Sequence, residues 1–203
     1  MERVNMNITA ITVIDNNDFT TTLNSVIEND LTPKVYCIAM NKDLNISIEE
    51  VLSKRCNTFE KSMGQDDVIY TANINNIQIV IIQSALKDAA SLRALCIEYT
   101  INITDIYIVI DNGLKLITSA FSSIVNKFKD LNISFVYSDY IEKDIYQVQS
   151  SFHTMMKQLP NIKMYGIRSD FSYELTNNNY AIIASNIYNK SIVSKIPEAL
   201  FIT

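Results

Sequence analysis

The stretch SALKDAASLRALCIEYTINITDIYIVIDNG, residues 84–113, decides the fold class. It reads as a helix over 89–100, a short turn, and a β-branched strand over 105–111 that stops at Asp111-Asn112-Gly113. Nucleotide-binding α/β proteins use this order to bring main chain close to a ligand. The same alternation extends in both directions. NITAITVID (7–15), KVYCIAM (34–40) and IQIVIIQ (77–83) have the apolar, β-branched character of strands, and DFTTTLNSVIEND (18–30) is a helix between the first two. SIEEVLSKRCNTFEKSM (47–63) carries Ile48, Val51, Leu52, Cys56 and Phe59 at helical spacing. GQDDVIYTANINN (64–76) is polar and irregular, with room for a small strand at 68–72. Beyond the key stretch the pattern predicts a helix near 117–129, a strand at 132–138, a helix over 141–158 and a strand at 162–168. An apolar run follows at 180–188.

Strands that alternate with helices imply crossover units and a mostly parallel sheet. Near-continuous Val/Ile strands imply a sheet covered on both faces. The expected fold is a three-layer, Rossmann-like, doubly wound and mostly parallel sheet of about six or seven strands, with helices on both faces. One domain spanning 1–203 accounts for the length, since 203 residues bury one sizeable core.

Composition excludes several classes. Hydrophobic residues make up 48%, charged residues 19%, and the formal net charge is −5. No basic block offers a phosphate-backbone footprint, so no nucleic-acid partner is expected. No apolar run reaches the roughly 18 residues of a membrane helix, and the N-terminus lacks the shape of a signal peptide. Cys37, Cys56 and Cys96 have no CxxC spacing, which fits reduced thiols in a cytoplasmic compartment. Asn and Ile are abundant beside only 3 Gly and 3 Pro, the mark of an AT-rich coding sequence such as some viruses, intracellular parasites or plasmids carry.

Open parallel sheets bind ligands beyond the carboxyl ends of their strands. Here those ends carry Asp15, Asp111, Asp139 and Asp170. Four carboxylates on one edge could hold a divalent metal for phosphoryl chemistry, because hard cations take oxygen ligands. The same residue types also cap the helices that follow strands, and that is the simpler reading. Glycine narrows the choice. The chain has glycine only at 64, 113 and 166, so the first strand–turn–helix holds neither a GxGxxG loop nor a P-loop. Those loops need glycine because main chain must approach the pyrophosphate with no Cβ in the way. That turn presents Asp15 and Asp18 instead, and two anions repel a diphosphate.

Residues 85–113 resemble the short-chain dehydrogenase/reductase stretch that runs from the third strand, through an Asp-x-x-Ser-Leu helix start (Asp88 to Leu92 here), to a fourth strand ending Asn-Asn-Ala-Gly. DYIEKDIYQVQSSFHTMMKQLPNIKMYGIRSDFS (139–172) is similar to that family's long helix ending in Leu-Pro and its fifth strand with a serine. NNYAIIASNIYNKS (178–191) stands where its Tyr-x-x-x-Lys helix begins. The resemblance covers most of residues 8–190. It implies Asn112 and Gly113 as cofactor-side residues, Ser169 (or Ser172) as the family serine, and Tyr180 as its tyrosine. The departures are specific. The glycine loop is missing, Ala85 replaces the aspartate that meets adenine, and none of the 11 tyrosines has lysine four residues later. Without that cation a tyrosine keeps a pKa of about 10 and is a poor proton donor–acceptor at neutral pH.

His153 is the single histidine and excludes a multi-histidine metal site within one chain. It flanks the apolar stripe of the 141–158 helix, about 100° round from Phe152. The pairs Glu49-Glu50 and Asp66-Asp67 read as a helix first turn and a polar loop. The expected function is therefore that of a catalytically inactive, degenerate short-chain-dehydrogenase-like domain, a structural or protein-interaction module. It would self-associate through the 141–158 helix and the 180–190 segment, with no cofactor. Two enzymatic readings stand beside it. One is an atypical NAD(P)-dependent oxidoreductase, and the other a metal-dependent phosphoryl hydrolase using the strand-end aspartates.

Overall fold

Strand β1 (Ile8–Ile14) is apolar or threonine at every position and is buried at all of them but Val13, as a central strand must be. The computed structural model of the chain describes residues 6–16, 19–64, 66–148, 163–169 and 193–203. Around β1 stand α1 (Thr20–Ile27), β2 (Val35–Asn41), α2 (Ile48–Ser53), β3 (Phe59–Met63), β4 (Val68–Ile74), β5 (Ile77–Ser84) and α3 (Ala89–Thr100). Then follow β6 (Ile106–Ile110), β7 (Lys115–Leu116), α4 (Ala120–Lys127), β8 (Phe135–Glu142), β9 (Ile145–Gln147), β10 (Met164–Arg168) and β11 (Val193–Ile202). All the strands among the described residues join one 11-stranded sheet in the order β3-β4-β5-β2-β1-β6-β10-β8-β11-β7, with β9 hydrogen-bonded to β8.

Alternation along β1 sorts the core into two layers. Ala10 and Ile14 point to one face, where Leu23 and Val26 of α1, Leu52 of α2, and Phe121 and Ile124 of α4 pack. Ile11 points to the other, where Leu92, Cys96 and Ile97 of α3 cover it. The mixed α/β layering expected from sequence is present, with helices on both faces. No helix among the described residues is long and apolar enough to cross a membrane.

The sheet itself differs from expectation. It is mixed, with 11 strands rather than six or seven mostly parallel ones. Strands β5, β2, β1 and β6 are mutually parallel. Beside β6, where a doubly wound dehydrogenase sheet continues with a parallel strand, β10 runs antiparallel, pairing Met164 with Ile110 and Arg168 with Ile106. β8 then pairs antiparallel to β10. Apolar pattern reports burial and period but not direction, so a wedged antiparallel strand looks like a parallel one in sequence.

Two element predictions are corrected, and one strand is added. The helix expected over 47–63 stops at Ser53, and Phe59–Met63 is strand β3, hairpinned to β4. Its apolar spacing suits either structure, and cross-strand pairing (Phe59 opposite Ala72) decides it. The helix expected over 141–158 is absent from its start. β8 runs to Glu142 and turns back into β9 through Lys143 and Asp144, both at positive φ, 50° and 62°. That pair of dihedrals makes the two-residue I′ turn that matches strand twist. The helical self-association surface expected there is therefore missing over 141–147, while 149–158 and the 180–190 segment lie outside the described residues. Finally, β11 was not anticipated. It contains Pro197, which cannot donate to a ladder, and the register with β8 shifts between Ile196 and Ala199 at that point.

Candidate functional site at the carboxyl edge

Because β5, β2, β1 and β6 run in parallel, their carboxyl ends meet at one edge. Ser84, Asn41, Asp15 and Asp111 stand there in a row, in strand order. Short loops carrying polar side chains tie these ends together. The Asn41 amide donates to the Leu86 carbonyl at 2.7 Å, and its oxygen accepts from the Asp43 backbone N–H at 2.7 Å. Lys42 N–H donates to the Ser84 carbonyl at 2.8 Å. Asp88 then caps α3, accepting from the Ser91 N–H at 2.8 Å.

The β1 and β6 ends are joined through Asn112. Its amide nitrogen donates to Asn16 Oδ1 at 2.9 Å and to Asp15 Oδ1 at 3.3 Å. Its own oxygen is buried and accepts no hydrogen bond among the described residues. Gly113 follows at φ +84°, and a Cβ there would meet nothing within 4 Å, so the space before it is open. The Asp111 N–H donates to the Lys163 carbonyl at 2.7 Å, fixing the start of β10 against this edge. Lys163 also lies over the Tyr140 ring, 5.5 Å from its centroid.

Charge at this edge centres on Asp111. Burial lifts its pKa to about 6. The neighbouring Asp15 carboxylate adds to the rise, while the Arg93 and Lys163 cations oppose it. Arg93 comes from α3, where it is 9% exposed within a run that includes the buried Leu92, Cys96 and Ile97. Two carboxylates and two cations thus share one partly dry edge. Such an arrangement can hold a polyanion, directly through the cations or through a hard metal ion on the carboxylates.

The residues singled out from sequence divide. Asp15, Asp111, Asn112 and Gly113 come together at this edge. Asp139 is 3% exposed and committed elsewhere, to Lys195 Nζ at 2.6 Å and to the Tyr146 hydroxyl at 3.0 Å. Ser169 lies at the opposite edge, because β10 is antiparallel: its N–H donates to the Asp105 carbonyl at the start of β6. Asp170 and Tyr180 lie outside the described residues. Among the described residues no group of three or more His, Cys, Asp or Glu side chains is placed to hold a metal. Sequence reasoning missed Arg93, Asn41 and Lys163. Arg93 had a readable signal, a lone charge on the apolar face of a helix.

No protein-family model matches the sequence, and no curated protein does. Solved structures do match. The chain is similar to S. aureus TarS 1-349, at 9% identity and a TM-score of 0.66, over 98% of this chain and 60% of that one. TarS 1-349 in complex with UDP-GlcNAc matches at 9% identity and a TM-score of 0.65, over 98% and 58% of the two chains. Its complex with UDP matches at 8% identity and a TM-score of 0.60, over 98% and 60%. The chain therefore spans about 60% of the length of TarS 1-349, and at this identity the likeness is one of fold. It corrects the short-chain dehydrogenase resemblance, as the antiparallel β10 already requires. The reading of a catalytically inactive dehydrogenase-like module falls with it. A missing glycine loop and a missing Tyr-x-x-x-Lys are losses only in a fold that uses them.

Proposed function

We propose that the chain binds a nucleoside-diphosphate sugar at its carboxyl edge and serves in glycosyl transfer. The observation that carries this reading is the fold match over 98% of the chain to TarS in complex with UDP-GlcNAc and with UDP. Those two molecules are a sugar donor and the nucleotide that remains when the sugar has left.

The edge chemistry supports the reading. In a transfer, an acceptor hydroxyl loses its proton to a base or to water and its oxygen bonds to the anomeric carbon as the bond from that carbon to the diphosphate oxygen breaks. The electron pair leaves with the diphosphate, so negative charge grows there, and catalysis consists of stabilising it. Arg93 and Lys163 bring positive charge to this edge. A divalent cation, when bound, neutralises a diphosphate. Mg²⁺ takes one or two protein carboxylates and completes its shell with phosphate oxygens and water. Asp111, Asp15 and the unpartnered amide oxygen of Asn112 fit that donor set. A diphosphate held this way needs no bare main chain at the first turn, which reconciles the missing glycine loop with nucleotide binding.

Thermal unfolding with UDP, UDP-GlcNAc and NADH, each with and without Mn²⁺, tests the reading. UDP with Mn²⁺ should raise Tm, by the equivalent of about 1.4 kcal/mol at tenfold excess over Kd, and NADH should not. Asp111→Asn should abolish the response. No rise with UDP at about 1 mM in the presence of metal, a concentration that reveals even weak sites, would sink the proposal.

A further inference from the structure

The opposite end of the strands carries a cleft of about 620 Å³, lined by the chain that leaves α2 and by β3, β4 and the start of β5. Asn57, Thr58, Thr71, Asn73, Gln78 and Phe59 line it. Gln78 is the second residue of β5, whereas the candidate nucleotide edge lies beyond Ser84 at the other end of that strand. Six steps of strand at about 3.3 Å each separate Gln78 from Ser84 by roughly 20 Å.

We infer that this cleft binds a neutral oligosaccharide. Its volume is that of a small-molecule site. Amides and hydroxyls dominate the wall, and each both donates and accepts, as sugar hydroxyls do. Asn73 and Gln78 are directly opposite in the β4–β5 ladder and Thr71 stands two residues along on the same face, so their polar groups converge on one ligand. Charge argues against an anionic ligand. Arg55 and Glu60 also line the cleft and offset each other. The Arg55 guanidinium already donates to the Val51 carbonyl and to Asn24 Oδ1, both at 3.2 Å. Little apolar wall remains for a hydrophobic ligand. The choice of a sugar over other neutral polar ligands rests on the glycosyl-transfer reading, for which this cleft would anchor a saccharide acceptor away from the reacting end.

Chitotriose is the probe, followed by saturation-transfer NMR on the full chain. Saturation transfer at about 10 mM sugar, with UDP and Mn²⁺ failing to displace it, is the expected result. Asn73→Ala with Gln78→Ala should weaken binding by roughly tenfold or more while leaving Tm and UDP binding unchanged, since both side chains are exposed. No transfer, transfer unaltered in the double variant, or displacement by UDP would each overturn the inference. UDP binding is read in the same samples. Sugar binding without UDP binding would leave the cleft standing and remove the nucleotide reading.

Discussion

Burial makes Asp111 titrate differently in the folded and the unfolded chain. Its pKa is about 6 when folded, against about 3.9 for an ordinary aspartate. Between those values the folded protein keeps a proton that the unfolded chain has released. Stability from the neutral carboxyl is whole below pH ~4 and is lost as pH rises through about 6. Asp111→Asn removes that loss. The variant should be more stable than the parent at pH 8 by at most about 3 kcal/mol, less whatever solvent screens at this partly exposed group, and equal to it at pH 4. Urea melts at the two pH values measure this, and a gain of the same size at both would contradict the buried-carboxyl account. Glycines make a second contrast. A Cβ on Gly166 would lie 2.6 Å from Ile124 Cγ2 and 2.8 Å from Phe128 Cε2, both in the closed core. Gly166→Ala should cost about 1–3 kcal/mol through overpacking and lower Tm by several degrees. Gly113→Ala meets no atom and should cost only about 1 kcal/mol, through its positive φ.

At the scale of elements, hairpins explain most of what pattern reading mistook. Lys143-Asp144 joins β8 to β9, and Asn75-Asn76, at φ 51° and 65°, joins β4 to β5. Asn tolerates the left-handed region and Lys does not, so one turn was readable in sequence and the other was hidden. Replacing Lys143-Asp144 by Asn-Gly should stabilise the protein by about 1 kcal/mol, seen as a higher Tm. If residues 141–148 were helical, the same change would destabilise it, because Gly is a poor helix former. The direction of the shift therefore tests the hairpin itself. The stretch 84–113 had no such ambiguity. Its helix is Ala89–Thr100 and its strand Ile106–Ile110, within a residue of the pattern reading. Twelve helical residues capped by Asp88 and a five-residue apolar run are locally self-consistent, and tertiary context had nothing to override.

For the whole molecule, the late strand β11 closes the sheet. It pairs parallel to β8 and antiparallel to β7, and it buries Ile196, Leu200 and Phe201, with Phe201 stacked 5.3 Å from Tyr140. Removing residues 193–203 would expose one edge of β8 and unpack those side chains, at about 1.5–3 kcal/mol each. That loss is comparable with the total stability of a domain. The truncated chain should lose its cooperative thermal transition by circular dichroism, and a retained sharp melt would show that β11 is an accessory strand.

The sequence by itself determined the alternation of strands and helices, the two buried faces of the central strands, and the presence of Asp15, Asp111, Asn112 and Gly113 at the strand ends. These follow from local period and burial, which each segment carries alone. The tertiary structure decided the direction of β10, the split of 47–63 into helix and strand, and the hairpin at 143–144. It also sent Ser169 to the far edge and brought Arg93 and Lys163 to Asp111. Each of these depends on which segments are neighbours in the sheet, and a strand's hydrogen bonds are satisfied equally well by partners running either way. Only the assembled sheet chooses among them.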